Sequence, residues 1–310
     1  MPMRMNALTL KQLRALDAVA KGGSLTAAGE ALGLTTPAIH TQIKGLEEAL
    51  QMKLIQRAVD GAGSELTEAG HALRETALRI EDSLSQAEAN LRAIQRGQVG
   101  RLTLGVVSTG KYFAPRLVKL MQDAHPEIEL SLKIGNRTEI LQGLERGSFD
   151  IVVMGRPPRQ PEVIAEPLGD HPHGLIAPPG HPLIGHASDL DMLFAQRFIS
   201  REQGSGTRIL MSRWLDRVGD GRIYDTLEMD SNETIKQAVM AGLGVAFLSL
   251  HTVTDEIDTG RLVQLNAPGL PLMRHWFLVR PVKERPRDLT LRIWDEIIGL
   301  SGKFLPMPIR

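Results

Sequence analysis

Polar and apolar side chains alternate with a helical period between positions 36 and 50. The apolar residues fall at spacings of four, three and four and predict one buried helix face, formed by Ile39, Ile43, Leu46 and Leu50. The opposite face carries hydroxyl, imidazole and ammonium groups and has no acid before Glu47. Such groups can hydrogen bond to the base edges and phosphates of a DNA major groove. The residues expected to contact DNA are Thr35, Thr36, Pro37, His40, Thr41 and Lys44.

The residues before this helix predict a shorter helix and a tight turn, so that the pair forms a helix-turn-helix. Ser24 can cap the shorter helix, and Gly33 can end it in a left-handed conformation. Leu34 is expected to fill the turn, after which a threonine caps the next helix and Pro37 suits its first turn. The competing interpretation is an ordinary helical hairpin with a solvated face. The order of caps, small residues and glycine favours DNA binding.

A helix capped by Thr9 and a short hairpin complete a small domain over residues 8–66. The strand segments 53–57 and 64–66 flank Asp60-Gly61, a pair typical of hairpin turns. Three helices followed by a hairpin predict a winged helix-turn-helix, a mainly helical fold. Residues 1–60 contain seven basic and five acidic side chains, a net charge of +2. That charge is small for a lone DNA-binding module, so we expect two modules to bind together.

A long linker helix is predicted next, over residues 67–97. Apolar residues recur at spacings of four and three, which makes an unbroken a/d seam. We expect two copies of the chain to pair through this seam as a homodimer. The alternative is an amphipathic helix that lies on its own domain. The seam consists of Leu73, Ala77, Ile80, Leu84, Ala87, Leu91 and Ile94.

The composition limits the classes of protein to which this chain can belong. Its 310 residues suggest two or three domains, and its formal net charge is zero. The absence of cysteine excludes disulfides, thiolate metal sites and cysteine nucleophiles. The first residues lack the apolar stretch of a secretion signal, and no apolar run is long enough to cross a bilayer. We therefore expect a cytoplasmic protein with no membrane partner.

Strand and helix patterns alternate from residue 100 onward and predict an α/β domain over residues 100–310. The order strand–helix–strand–helix–strand implies a parallel sheet covered by helices, and it occurs twice. Two such units predict a two-lobed, periplasmic-binding-protein-like receptor that closes on a ligand. Lobe one is expected at about 100–165 plus 271–310, and lobe two at about 166–270.

Two segments that follow predicted strands could bind an anion. They are residues 108–112 and 201–208, and each supplies hydroxyl groups and backbone N–H groups at a helix start. Nearby guanidinium groups match phosphate or carboxylate oxygens. The alternative is a satisfied helix cap or a surface arginine. The residues expected to bind a small anionic effector are Ser108, Thr109, Lys111, Arg137, Arg156, Arg201, Ser205, Gly206, Thr207 and Arg208.

Residue patterns typical of enzymes are missing from the sequence. It contains no Gly-Lys-Thr phosphate loop, no Rossmann glycine pattern and no nucleophile elbow. Four histidines lie close together in the sequence, but prolines and glycines interrupt them. We expect these histidines to lie in surface loops rather than around a metal ion. They are His171, His173, His181 and His186. We expect no metal, no cofactor and no catalysis. The alternatives are a two-lobed α/β metabolic enzyme with an accessory helical domain, and a solute-binding receptor.

The chain resembles LysR-type transcriptional regulators over essentially its whole length, and most strongly between Leu10 and Gly70. The residues that carry the resemblance are Ala27-Ala28, Pro37-Ala38, Gln42-Ile43, Leu46-Glu47, Leu50, Arg57 and Leu66-Thr67-Glu68-Ala69-Gly70. The chain departs from the family at Gln51 and Ile55, where glycine and phenylalanine are usual. Its wing, residues 58–65, lacks the usual basic residues, which leaves Arg57 as the expected phosphate contact of the wing.

Within that family, residues 107–113 and 201–208 resemble the regulators of Calvin-cycle (RuBisCO) operons. The resemblance implies a homotetramer on double-stranded operator DNA that is switched by a small metabolite. For this subgroup the metabolite would be a phosphorylated intermediate or NADPH.

Overall fold

A computed structural model describes residues 5–57, 63–95, 100–282 and 286–306. The chain divides into two units, Met1–Glu88 and Ala89–Arg310. The first unit contains three helices, a two-stranded hairpin and most of a long fourth helix. These elements are α1 (Leu10–Gly22), α2 (Leu25–Leu32), α3 (Thr36–Leu50), β1 (Ile55–Arg57), β2 (Ser64–Leu66) and α4 (Glu68–Gln95).

The helix ends of the first unit follow the predicted capping residues. Thr9 forms a capping box with Gln12 at the start of α1, and Ser24 Oγ accepts a hydrogen bond from the Ala27 N–H at the start of α2. Gly33 ends α2 with a φ of 64°. Thr35 caps α3 by accepting from the Ala38 N–H at 3.4 Å. The order of helices and caps in the predicted helix-turn-helix is therefore confirmed.

The core of this unit lies between α1, α3 and the first turns of α4. The predicted apolar face of α3 is buried there, together with residues of the other helices: Leu13, Leu16, Val19, Leu73 and Ala77. The prediction for Leu34 was wrong, because its side chain is 47% exposed rather than packed in the turn. Strands β1 and β2 pair antiparallel from Ile55 opposite Leu66 to Arg57 opposite Ser64. The predicted turn at Asp60-Gly61 lies outside the described residues.

The apolar seam of α4 divides into two halves. Leu73 and Ala77 are buried in the core of the first unit, and salt bridges from Arg14 to Glu81 and from Arg74 to Asp17 attach this half to α1. The second half is exposed, since Leu84 is 40% and Leu91 62% accessible. The side chain of Ile94 lies outside the described residues. The first half of α4 thus packs on its own domain, and the second half has no cover within the described chain.

The second unit contains two parallel sets of strands joined by a pair of long antiparallel strands. The first set is β3 (Gly100–Val107), α5 (Ala114–Ala124), β4 (Ile128–Gly135), α6 (Arg137–Arg146) and β5 (Ile151–Met154). The second set is β7 (Arg197–Arg201), α8 (Gly206–Gly219), β8 (Asp225–Met229), α9 (Asn232–Met240) and β9 (Val245–Ser249). We call the first set lobe one and the second set lobe two. Both have the strand–helix order that the sequence predicts.

The connecting strands are β6 (Val163–Ala177) and β11 (Leu272–Pro281). Together with the two lobes they form a sheet in the order β4-β3-β5-β11-β6-β9-β7-β8, and a short β10 (Val263–Leu265) also pairs with β6. Strand β6 contains two prolines, Pro167 and Pro172. Its Pro167 lies opposite Phe277 where the register with β11 shifts, a position at which a strand tolerates proline.

Each lobe has its own hydrophobic core. In lobe one, β-strand residues pack against Trp276 of β11 and against α11 (Asp288–Gly299). In lobe two, Phe198, Trp214 and Phe247 lie in one cluster and Ile199 and Ile235 in another. Two short helices, α7 (Leu190–Phe194) and α10 (Thr254–Asp258), complete the unit. Two cores separated by long crossing strands agree with the predicted two-lobed α/β receptor. In the described part of the chain, no helix has the length and apolar character needed to span a membrane.

Candidate functional site

The polar face of α3 is accessible in the first unit. His40, Thr41 and Lys44 are exposed, whereas Ile39 and Ile43 on the opposite face are buried. Thr35 and Pro37 are also exposed at the start of the helix, and Thr36 is half-buried. Thr41 Oγ1 donates a hydrogen bond to the Pro37 carbonyl at 2.9 Å. Lys44 Nζ lies 3.7 Å from Glu48 Oε1, both being well exposed, so this pair is weak and leaves the ammonium group accessible to a phosphate.

Glu47, the first acid of α3, is directed away from the polar face. Its carboxylate accepts from Lys53 Nζ at 2.7 Å and from the Leu54 N–H at 3.0 Å, and it thereby anchors the chain that leads into β1. Partial burial acts to raise the pKa of Glu47, but the hydrogen bonds from Lys53 and from the backbone outweigh it and lower the pKa. The polar face therefore stays free of negative charge over its first turns. Arg57 is exposed at the end of β1.

A cavity of about 130 Å³ lies between the two lobes of the second unit. It is lined from lobe one by residues that follow β3 and β5 and begin α6, and from lobe two by the start of α8. Seven of the ten predicted effector residues line it: Ser108, Thr109, Arg137, Arg156, Ser205, Gly206 and Thr207. The two predicted segments therefore face one cavity, because both follow strands whose carboxyl ends meet there.

The start of α8 contributes backbone donors to this cavity. Ser205 is the N-cap residue, but its side chain makes no capping hydrogen bond. The first N–H groups of a helix have no intrahelical acceptor and lie at the positive end of the helix dipole. A Cβ at Gly206 would lie 3.6 Å from Arg137 Cδ, an ordinary van der Waals distance, so the Arg137 side chain lies beside the start of α8. The start of α8 and a lobe-one guanidinium group thus come together at one side of the cavity.

Four guanidinium groups line the cavity, and two of them were not predicted from the sequence. Arg137 and Arg156 come from lobe one, Arg213 from α8 and Arg274 from β11. None of the four forms an ion pair with a carboxylate of the described residues. Arg137 Nη1 instead donates to the Arg156 carbonyl at 2.7 Å. Burial, and then the neighbouring Arg156, lower the pKa of Arg137. A bound anion would relieve this accumulation of like charge.

Three predicted effector residues do not line the cavity, because acidic side chains hold them elsewhere. Lys111 pairs with Glu233 of α9, and Arg208 pairs with Glu228 of β8. Arg201 is 3% exposed. Its guanidinium group donates to both oxygens of Glu202 at 2.7 and 2.8 Å and to Asn232 Oδ1 at 2.7 Å. The expectation that all ten residues surround one anion is therefore corrected.

The prediction that the histidines lie in surface loops was wrong for two of them. His171 and His173 are buried on β6 and line the cavity, whereas His181 and His186 lie in turns. The interrupting prolines and glycines concealed the strand. Burial, followed by nearby His173, His251 and Arg274, lowers the pKa of His171 well below its ordinary value. Burial also lowers the pKa of His173, to about 3. Both imidazoles are therefore neutral groups within a cationic cavity.

Known proteins share both units. Residues 10–71 match the family model described as a bacterial regulatory helix-turn-helix protein of the lysR family, and residues 95–299 match the LysR substrate binding domain. The HTH-type transcriptional regulator CbbR of Cereibacter sphaeroides is 55% identical over 305 residues, which cover 98% of each chain. The RuBisCO operon transcriptional regulator of Allochromatium vinosum is 42% identical over 273 residues, covering 88% of this chain and 89% of that protein.

A solved structure resembles the second unit. It is the regulatory domain of CcmR from Synechocystis PCC6803 in complex with 2-PG (2-phosphoglycolate), which is 32% identical. The match covers 65% of this chain and 97% of the CcmR chain, with a TM-score of 0.60. The fold and these matches define a transcriptional regulator with a helix-turn-helix and a two-lobed effector domain. The chain belongs to the LysR family of bacterial transcriptional regulators, and its relatives give no support to the alternative of an enzyme.

Proposed function

We propose that this regulator controls carbon-fixation genes and that a small phosphorylated metabolite in the cavity between the lobes changes its activity on DNA. The names of the CbbR and RuBisCO-operon relatives support the target genes, and the 2-PG complex of the CcmR domain supports a phosphorylated effector. The observation that carries the effector proposal is the set of four cavity arginines without carboxylate partners. Arg137 and Arg274 are half-buried, whereas Arg156 and Arg213 are exposed. Several cations that face one cavity without a carboxylate partner favour an anionic ligand.

Within this proposal, the exposed face of α3 reads the operator. His40 contacts a base edge and Lys44 a phosphate, while Thr36 and Thr41 fill positions close to the groove. Thr35 and Pro37 direct the start of the helix towards the DNA backbone, and Arg57 adds a phosphate contact from the hairpin. Their accessibility supports these roles, and the first unit has no acid on the first turns of this face. Because such a protein acts on the chromosome, we infer a cytoplasmic location.

A second copy of the chain pairs along the exposed half of α4. The apolar Leu84 and Leu91 lie seven residues apart, so they occupy the same position in successive heptads. Pairing would cover them and bring two DNA-binding units onto one operator, which offsets the small positive charge of each unit. Two dimers would then form the homotetramer that the resemblance implies.

The effector acts through different affinities for two arrangements of the protein. A ligand shifts an equilibrium only by the difference between its affinities for the two states. A ligand in the cavity can favour one arrangement of the lobes, because lobe one and lobe two each supply part of the cavity lining and a bound anion would contact both. A change in the angle between the lobes would alter the spacing of the DNA-binding units within the assembly.

An electrophoretic mobility-shift series tests the proposed function. Full-length protein is mixed with the promoter DNA upstream of the carbon-fixation operon, with and without 2-PG, and an unrelated promoter of equal length is the control. The proposal predicts a retarded complex on the first DNA only, with a mobility or affinity that 2-PG changes. Equal binding to both DNAs would refute sequence-specific recognition. If neither 2-PG nor any other small phosphorylated metabolite changed the mobility or affinity of the complex, the effector assignment would be refuted.

A further inference from the structure

One short turn of lobe one contacts both the cavity and lobe two. The 3₁₀ turn Ser108–Tyr112 follows β3, and its first two residues, Ser108 and Thr109, line the cavity. Lys111 and Tyr112 at its other end contact Glu233 of α9 in lobe two. A 3₁₀ helix rises only about 2 Å per residue, so the two ends of the turn lie close together. Contact with lobe two at one end therefore helps to fix the position of the cavity residues at the other end.

The centre of this turn packs tightly on its own lobe. Gly110 is buried, and a Cβ at this position would clash with the Val106 side chain of β3. The Phe113 N–H donates to the Gly110 carbonyl at 3.1 Å, and the Phe113 side chain is part of the lobe-one core. The turn is therefore attached to β3 and to the core of its lobe. Its contact with α9 connects the two lobes and does more than hold a loose loop.

Glu233 accepts hydrogen bonds from two residues of lobe one. The Tyr112 hydroxyl donates to Glu233 Oε1 at 2.5 Å, and Lys111 Nζ pairs with Oε2 of the same carboxylate. Partial burial acts to raise the pKa of Glu233, but the hydrogen bonds from Lys111 and then from Tyr112 outweigh it and lower the pKa. Burial, and then the bond to Glu233, raise the pKa of Tyr112. At neutral pH a protonated phenol thus donates to a charged carboxylate, which is the stronger kind of hydrogen bond.

The ring of Tyr112 has a separate partner in lobe two. Lys236 Nζ lies 4.8 Å from the ring centroid, a distance typical of cation–π contacts. The same ammonium group pairs with Glu256 of α10 at 2.9 Å, and both of these side chains are only 10% exposed. Tyr112 therefore contacts lobe two through its hydroxyl group and through its ring. A substitution can remove the first contact and keep the second.

We propose that Tyr112 is a positioning residue of the effector site, whose hydrogen bond to Glu233 holds the lobes in the arrangement in which Ser108 and Thr109 line the cavity. The proposal rests on the proposed function and deepens it, because it names a contact that sets the population of the effector-binding arrangement. The apparent affinity of a ligand falls in proportion to the fraction of protein in the binding arrangement. Loss of the contact lowers that fraction and weakens effector binding, although neither Tyr112 nor Glu233 lines the cavity.

A double-mutant cycle tests this role. Tyr112→Phe removes the hydroxyl group and keeps a ring beside Lys236, and Glu233→Gln removes the charge of the acceptor. Isothermal titration calorimetry of the full-length proteins with 2-PG should show an affinity about threefold or more lower for each variant. The double variant should bind no more weakly than Glu233→Gln alone, since both substitutions remove the same contact. Arg197→Gln is the control, because its exposed pair with Asp225 lies within lobe two, and it should bind 2-PG like the wild type.

Hydrogen–deuterium exchange gives a second measurement that needs no ligand. Without 2-PG, peptides that contain residues 108–112 should exchange about threefold or more faster in Tyr112→Phe than in the wild type, because the turn opens more often. Arg197→Gln should leave this exchange unchanged. If Tyr112→Phe does not fold, Lys111→Gln removes the other donor to Glu233 from a half-buried position and should change exchange and affinity in the same direction.

The two measurements separate this inference from the proposed function. Unchanged 2-PG affinity, unchanged exchange, or losses that add in the double variant would each overturn the role of Tyr112 and leave the proposed function standing. A wild type that binds no phosphorylated compound would refute the proposed function. Exchange in the 108–112 segment would then decide by itself whether Tyr112 holds this turn against lobe two.

Discussion

Arg201 of lobe two donates a hydrogen bond from Nη2 to Ser108 Oγ of lobe one, 3.1 Å away. Ser108 also lines the cavity, so the same hydroxyl group belongs to the effector site and to a connection between the lobes. Close by, Lys111 and Tyr112 of lobe one contact Glu233 of lobe two. The segment after β3 is therefore held by lobe two at several points, and a ligand that engages Ser108 competes with one of these contacts.

Replacing Arg201 should destabilise the second unit. The side chain is 2% exposed, and Arg201→Ala would leave Glu202 and Asn232 without their donor. Removal of one partner from a buried charge pair costs about 3 kcal/mol or more of unfolding free energy. Urea unfolding followed by tryptophan fluorescence measures this, because all three tryptophans lie in the second unit: Trp214, Trp276 and Trp294. Arg197→Ala is the control, since its pair with Asp225 is much more exposed and should be worth less than about 1 kcal/mol. Equal losses would contradict a buried network at Arg201.

Two substitutions on α3 should affect DNA binding in different ways. His40→Ala should relax the preference for particular base pairs, because a base-edge contact is lost. Lys44→Ala should weaken binding to all sequences and reduce the slope of log affinity against log salt by about 1. Fluorescence anisotropy on a set of single-base operator variants measures both effects. Lys119→Ala, which removes an exposed positive charge from the other unit, controls for net charge. If Lys44→Ala left the affinity and its salt dependence unchanged, the proposed orientation of α3 on DNA would be wrong.

A charge in the exposed half of the α4 seam should separate the copies of the chain. Leu84→Glu places a carboxylate at a position that is 40% exposed in one chain and would be buried in a dimer. Light scattering coupled to gel filtration should show a smaller assembly and the mobility-shift assay a weaker complex. Ser85→Glu introduces the same charge at the next position, which is exposed and outside the seam. The pairing proposal fails if both variants have the same mass as the wild type.

The buried histidines should make the second unit less stable in weak acid. The pKa of His173 is lowered to about 3 and that of His251 to about 4, chiefly by burial, while an unfolded histidine titrates near 6.5. Below about pH 6.5 the unfolded chain therefore binds protons that the folded chain excludes. The free energy of unfolding therefore has its full value above about pH 6.5. Below that pH it falls as the pH decreases, by up to about 1.4 kcal/mol per pH unit for each histidine.

Urea unfolding between pH 7 and pH 5 measures this slope by tryptophan fluorescence. His173→Gln should reduce the slope, because it removes one group that must stay neutral, whereas His186→Gln at an exposed position should leave the slope as it is. A flat profile of wild-type stability over this range would show that the histidines are not buried in their neutral form.

Local patterns were sufficient to predict the DNA-reading helix but only part of the effector cavity. The residues that form the buried face and the caps of α3 lie within one or two helical turns of each other along the chain. Their spacing can therefore be recognised in the sequence. Arg274 was missed because its role depends on β11 lying across the cavity from α8. Arg201 was assigned to the ligand because its pairing with Asn232, 31 positions later, is a tertiary contact. The prolines of β6 concealed a strand, and with it His171 and His173.

The most direct test measures whether the arginine-lined cavity controls the protein on DNA. Wild type, Arg274→Gln and Arg197→Gln are titrated with 2-PG while bound to the carbon-fixation promoter, and DNase I footprinting records the protected region. The wild type and Arg197→Gln, whose exposed side chain pairs with Asp225 outside the cavity lining, should change their footprint as 2-PG is added. Arg274→Gln should require at least about tenfold more 2-PG. A footprint that responds equally in all three proteins would contradict the assignment of the effector to this cavity.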